Sequence, residues 1–158
     1  MGEGCAVASG LTRSQLSLSF REHRSHMAHV FTFQSQQFRQ QDERPNPINP
    51  IAGEGLLKWL TSQLEQRGFA CDPPDAEDWG WYTSVTHAER VYLLGASGEW
   101  SEPGSATEWT VQLELNRSLW DRVRGRNTMQ VGDSVSAAIE QSLVANPEVA
   151  GLEVARSA

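Results

Sequence analysis

The sequence predicts an α+β fold, in which a predominantly antiparallel sheet of four to five strands carries two helices on one face. Alternation of apolar and polar residues recurs along the chain, most cleanly in EWTVQLEL at 108–115, and this period of two is typical of strands with one buried face. Residues 51–68 instead repeat their leucines at helical spacing. The length of 158 residues is that of one ordinary domain.

The first two elements follow from local chemistry. HVFTF at 29–33 is short, aromatic and β-branched, which favours a strand. Asn49 followed by Pro50 has the chemistry of a helix start, with a side-chain acceptor and a preset φ. The sequence therefore predicts a helix over 51–68, with Gly68 in the left-handed position that ends it.

The stretch EDWGWY at 77–82 follows a loop, because Pro73 and Pro74 cannot donate backbone hydrogen bonds. From Trp79 the apolar period is two. We therefore expect Trp79 and Trp81 to share one face of a strand and to fill the core.

The remaining elements complete the predicted order. RVYLLG at 90–95 and EWTVQLEL at 108–115 read as strands. Asp133 is a suitable cap for a second helix, which Asn146 ends together with the proline after it. The tail at 149–155 alternates well enough for a last short strand. The predicted order is β-α-β-β-β-α-β, an open-faced sandwich with a ferredoxin-like flavour.

Composition predicts the domain organisation and the compartment. Residues 1–26 are rich in Ser and Gly with no sustained apolar period, so we expect a flexible N-terminal extension before a single domain at 27–158. The chain has no apolar run long enough for a membrane span and no secretory pattern. Two cysteines, Cys5 and Cys71, are typical of a reducing compartment, and we expect a cytoplasmic protein.

The net charge of -7 opposes the counterion release that dominates nucleic-acid affinity, so we expect no nucleic-acid partner. The basic residues nevertheless concentrate in NRSLWDRVRGRN at 116–127. Arginine recognises phosphate and carboxylate bidentately, and exposed aromatics beside arginine are typical of interfaces. The candidate residues for binding a partner or an anion are Arg117, Arg122, Arg124, Arg126, Trp120, Trp100, Glu77 and Asp78. An alternative is that the arginines pair with the carboxylates of 72–78 within the chain.

Other chemistry-bearing residues indicate no catalytic, metal or cofactor site. The acidic run at 72–78 lacks the spacing of a calcium loop. His23, His26 and His29 are spaced by threes, but the last one heads a predicted strand, which breaks the helical register a shared metal site needs. His87 has no nucleophile in a recognisable motif near it. We expect no metal and no cofactor.

Two hypotheses for the function remain. The first is a small, acidic, tryptophan-rich binding protein without enzymatic activity, such as an adaptor, an inhibitor or an immunity-type module, which docks a protein partner through its aromatic and arginine residues. The alternative is an enzyme or sensor for a phosphorylated or carboxylated small molecule, with Arg122, Arg124 and Arg126 holding the anion and Asp78 or His87 handling protons. Dimerisation through an exposed edge strand is a further possibility.

Overall fold

The computed structural model describes residues 28–99, 105–118, 121 and 123–157. These residues form an α+β fold of seven strands and two α-helices, with a short 3-10 helix at Gln40–Asp42. The strands are β1 (Ala28–Ser35), β2 (Ala70–Cys71), β3 (Asp75–Glu77), β4 (Gly80–His87), β5 (Arg90–Gly98), β6 (Thr107–Leu115) and β7 (Ala150–Arg156). The helices are α1 (Glu54–Glu65) and α2 (Ser134–Ala145). None of the helices in this part of the chain is long and apolar enough to cross a membrane.

All strand pairings are antiparallel, and the sheet has the order β2-β4-β5-β6-β1-β7. β2 and β3 both pair with β4, so they act as one edge strand that is interrupted at residues 72–74. The interruption contains Pro73 and Pro74, which have no N–H to donate to a neighbouring strand. The opposite edge is β7, beside β1.

The core lies between one face of the sheet and the two helices, which contact each other. We call this face the core face and the other the open face. Strand residues alternate between them, and the large core-face side chains Phe31, Trp81 and Val111 are fully buried. The leucines of α1 are buried against this layer, which confirms the predicted amphipathic helix.

The α+β class and the antiparallel sheet are thus confirmed, but the sheet has seven strands and not four or five. The added strands are the two short pieces β2 and β3, which lie on either side of Pro73 and Pro74, where the prolines predicted a loop. β5 also continues through Gly98, three residues beyond the predicted strand at 90–95. The ferredoxin-like arrangement is not confirmed.

The predicted start of α1, residue 51, is wrong by three residues. Ala52 forms a bridge to Gly98 of β5, and the N–H of Gly98 donates to the carbonyl of Ala52 at 2.9 Å. This pairing keeps residue 52 extended, so the helix begins only after Gly53. Asn49 does not cap the helix; its amide donates to the carbonyl of Asp78 at 2.7 Å.

The ends of the other elements follow the predicted chemistry. Gly68 has a φ of 88° just beyond α1, and Asp133 caps α2 by accepting from the N–H groups of Val135 and Ser136. The hairpin between β4 and β5 has a two-residue turn, Ala88 and Glu89, with φ values of 48° and 64°. Two residues with positive φ match the twist of a hairpin, although glycine and asparagine adopt this conformation more easily.

Candidate functional site

The open face of the sheet carries an aromatic and aliphatic centre with no described element above it. Tyr82, Leu93 and Val30 are half-buried side chains on this face. Trp79, in the turn between β3 and β4, also lies over the face and is half-buried. Trp79 and Leu93 line a shallow depression together with Gly95, Gln112 and Glu114.

Trp79 is held over Gly95. A Cβ at position 95 would lie only 2.6 and 2.7 Å from two atoms of the indole ring, so any larger residue would push the ring away. The prediction that both tryptophans of EDWGWY share one face of a strand is therefore wrong. Trp81 is fully buried on the core face, whereas the two-residue turn at 78 and 79 delays the strand until Gly80. The strand period therefore does not include Trp79.

The turn that presents Trp79 is anchored by a neighbouring loop. The side-chain amide of Asn46 donates to the carbonyls of Glu77 and Gly80, both at 2.9 Å, and Asn49 bonds the carbonyl of Asp78. Gly80 is required here, because a Cβ would lie 2.5 Å from the carbonyl oxygen of Ala96. The turn is thus bonded on three of its carbonyls, which fixes the approach of the indole to the sheet.

The charges on the open face all have one sign. Its strand positions in the described chain include no Lys or Arg. Its acidic side chains are Asp75, Glu77, Glu108, Glu114 and Glu153. At the centre, the amide of Gln112 donates to Glu114 at 2.6 Å, which orients that carboxylate beside Leu93. An acidic border around apolar side chains is suited to a cationic, partly apolar ligand.

The predicted arginine segment lies elsewhere. The N–H of Asn116 donates to the carbonyl of Val91 at 2.8 Å, so Arg117 follows at the end of the sheet where β5 starts. Arg117 is half-buried, while Arg124 and Arg126 are exposed. The carboxylate of Asp121 accepts from the hydroxyl of Ser118 at 2.9 Å, and hydrogen bonds from Ser118 and Asn127 lower the pKa of Asp121.

The structure therefore separates the candidate residues into two places. Glu77 and Asp78 precede the first residue of β4, whereas the arginine segment lies near its last residue, His87, which pairs with Arg90. Eight residues of extended chain separate these ends by about 23 Å. Glu77 and Asp78 are too far from the arginines for the intramolecular pairing considered above. The candidates Trp100, Trp120 and Arg122 lie outside the described residues.

A buried polar cluster ties α2 to the core face of the sheet. Asp133 accepts from the hydroxyl of Tyr92 at 2.9 Å and from the guanidinium of Arg90 at 3.3 Å. Nδ1 of His29 and the hydroxyl of Ser136 are 2.6 Å apart. Burial lowers the pKa of His29, with Asp133 opposing and Arg156 adding to the effect, while burial and the bond to Asp133 raise the pKa of Tyr92 to about 12. Every strong contact is internal, which indicates a structural role.

The three-histidine spacing in the sequence does not correspond to a described site. His29 is fully buried against α2, and His23 and His26 lie outside the described residues. Within the described chain, no group of three His, Cys, Asp or Glu side chains is placed to hold a metal ion. Burial, followed by Glu65 and Asp72, raises the pKa of the Cys71 thiol to about 11, so it is a poor nucleophile near neutral pH.

The glycines at the start of α1 serve the fold. A Cβ on Gly53 would lie 2.5 Å from the carbonyl oxygen of Ala96, so this residue permits close packing on β5. The N–H groups of Gly53 and Gly55 donate to the carboxylate of Glu43 at 2.8 and 2.7 Å. Burial raises the pKa of Glu43, and these two bonds oppose that shift. The helix terminus thus binds an anion from its own chain.

Sequence reasoning missed the open face as a site. One signal was present, because the polar positions of EWTVQLEL include Glu108 and Glu114, which must share a face at a period of two. The position of Trp79 over Gly95 had no such signal. Comparisons with protein-family models, with curated proteins and with solved structures gave no match.

Proposed function

We propose that this chain is a binding module without enzymatic activity, of the adaptor, inhibitor or immunity type, which docks a protein partner on the open face around Trp79. The observation that carries the proposal is the indole of Trp79 seated over Gly95 among half-buried apolar side chains and within an acidic border. Tryptophan is enriched among the residues that dominate binding energy at protein interfaces. Trp79 is held in place by the hydrogen-bonded turn at 77–80 and by its contact with Gly95.

The shape of the depression favours a protein partner over a metabolite. It is a shallow surface feature that encloses no space, whereas sites for small molecules usually enclose about 300–1,000 Å³. A surface of this shape suits contact with another protein. The acidic border adds a second requirement, because a partner that buried these carboxylates without supplying positive charge would lose affinity. We propose that the partner contributes Lys or Arg beside an apolar side chain.

The compartment is part of the same proposal. Two cysteines in the chain, with Cys71 not in a disulfide, are typical of a reducing environment, which supports a cytoplasmic location. A second copy of the chain remains a candidate partner through the β7 edge, which pairs with β1 on one side.

The exposed arginines support a second candidate function. Arg124 and Arg126 are exposed on either side of Gly125, which has a φ of 60°, and guanidinium groups in such a turn can bind a phosphate or carboxylate. A sensor or enzyme for an anionic small molecule would use this end of the sheet. Asp78 would not take part, because it lies at the other end of β4.

Variants of the two places separate these functions. Partners captured from the source cells by the full chain should be lost with Trp79→Ala, with a fall in affinity on the order of 30-fold for a central tryptophan. Gly95→Ala should act in the same direction, because the added methyl group displaces the indole. Capture should also weaken as salt rises, because exposed charges are screened.

Two control variants complete the experiment. Val144→Ser changes an exposed residue of α2, on the other side of the molecule, and should leave capture unchanged. Arg124→Ala should also leave it unchanged. The proposal would be wrong if Trp79→Ala retained every partner. Loss of capture with Arg124→Ala alone would indicate that the partner binds the arginine segment and not the open face.

A further inference from the structure

We infer that residues 13–24 of this same chain bind the open face and compete there with an external partner. The inference rests on the proposed function in that it uses the same face. It follows from the chemistry of the face, the composition of the segment and the length of chain that joins them. The segment lies outside the described residues.

The segment has the chemistry that the open face requires. Leu16, Leu18 and Phe20 alternate with serines, so an extended chain would place all three on one side. Three arginines, Arg13, Arg21 and Arg24, stand against the single acidic residue Glu22. The segment is therefore basic within an acidic protein, and its positive charges flank the apolar side chains.

The face is complementary in both respects. Its centre is the half-buried group of Trp79, Tyr82 and Leu93, and the surrounding charged positions are acidic, with Glu114 held beside Leu93. An apolar side chain placed against the depression beside Trp79 would contact the edge of the indole and Leu93, while flanking guanidinium groups would meet carboxylates. The apolar contact would form the centre of the interface and the ion pairs its rim, which is the usual arrangement in protein interfaces.

The point of attachment permits this contact. Ala28, the first described residue, lies on the open face opposite Glu114. From there, the depression over Gly95 is two strands away, or about 10 Å across the sheet. Residues 21–27 can span up to about 24 Å when extended. Phe20 can therefore reach Leu93 without any change in β1.

Attachment within one chain makes this occupant effective even if its contacts are weak. A short covalent connection gives an effective concentration in the millimolar range, so a partner must compete with a ligand that is always present. We expect the segment to weaken the binding of a partner. Replacing the three arginines of the segment should therefore strengthen partner binding.

Photochemical cross-linking of the full chain tests the inference. p-Benzoylphenylalanine in place of Tyr82 puts a reactive group of similar shape on the open face, and the same group in place of Val144 is the control on α2. We expect cross-linked peptides from residues 13–24 when the reactive group replaces Tyr82, and at least fivefold fewer when it replaces Val144. Mixing isotope-labelled and unlabelled chains shows whether the two peptides come from one molecule.

Two further variants define the chemistry. The first variant combines Leu16→Ser, Leu18→Ser and Phe20→Ser, and it should lower the cross-linking yield at least fivefold. The second variant combines Arg13→Gln, Arg21→Gln and Arg24→Gln. It should lower the yield and make the remaining cross-linking independent of salt. Cross-links between labelled and unlabelled chains would overturn the inference in favour of a second copy as the occupant. Absence of cross-links to residues 13–24 would overturn it as well. If Trp79→Ala still abolished partner capture, the proposed function would stand without this inference.

Discussion

Replacement of Asp133 by alanine should show how much one buried carboxylate contributes to this fold. Its Oδ1 accepts from the N–H groups of Val135 and Ser136 at the start of α2, at 3.1 and 3.4 Å. Its Oδ2 accepts from Tyr92 at 2.9 Å and from Arg90 at 3.3 Å. One side chain thus joins the second helix to β5, and alanine would remove all of these contacts.

The structure allows the loss of stability to be estimated by contact. Loss of a helix cap costs about 1 kcal/mol, and loss of a hydrogen bond to a charged group in a buried site costs about 1.5–3 kcal/mol. The ion pair with Arg90 adds about 0–1 kcal/mol, because 31% of the Arg90 side chain is exposed. We therefore expect Asp133→Ala to lower the free energy of unfolding by about 3–5 kcal/mol.

Urea denaturation followed by far-UV circular dichroism measures this change. Tyr92→Phe removes only the hydroxyl donor and should cost about 1.5–3 kcal/mol. Ser134→Ala, at the exposed neighbour of Asp133, is the matched control and should stay within about 0.5 kcal/mol of the parent. A cost of less than about 1 kcal/mol for Asp133→Ala would contradict this prediction, because the buried bond to Tyr92 would then contribute nothing.

Two further predictions concern the hairpin turn and the buried histidine. Ala88→Asn with Glu89→Gly should raise the free energy of unfolding by about 1–2 kcal/mol, because both positions have positive φ; an unchanged urea midpoint would contradict this. Because the pKa of His29 is lowered in the folded protein, His29 takes up a proton at a higher pH in the unfolded chain than in the folded one. The contribution of His29 to the free energy of unfolding should therefore be fully present above pH 6.5 and should decrease as the pH falls from 6.5 towards the lowered pKa. His29→Gln should remove that part of the pH dependence in parallel denaturation series, and NMR titration of His29 should show a midpoint below 6.5; a midpoint at or above 6.5 would contradict the prediction.

Much of the fold could be predicted because local patterns and tertiary contacts agree. The alternation in EWTVQLEL predicted β6, and the leucine spacing predicted α1, since each pattern has one apolar face to bury. Asp133 and Gly68 marked helix ends correctly, because a cap bond and a positive φ depend on only a few neighbouring residues. These features need little information from distant parts of the chain.

The errors occurred where distant backbone decided the outcome. Asn49 and Pro50 have good chemistry for a helix start, yet the bridge from Ala52 to Gly98 keeps the chain extended up to Gly53. The pairing of residues 70–71 and 75–77 with β4 likewise produced two short strands, one on each side of a proline pair. Local propensity is a weak preference of a fraction of a kcal/mol per residue, and tertiary pairing readily exceeds it.

The candidate site shows the same division. Three features follow from the residue pattern alone: the α+β class, the alternation that gives the sheet two chemically different faces, and the acidic residues among the polar positions of β6. Each of them depends on the composition and period of a single segment. Two further features depend on contacts between distant segments. Trp79 lies over Gly95 and not in the core, and the arginine segment lies at the far end of β4 from Glu77. Both outcomes depend on how separate strands pair, and the register between strands is not written in any one of them.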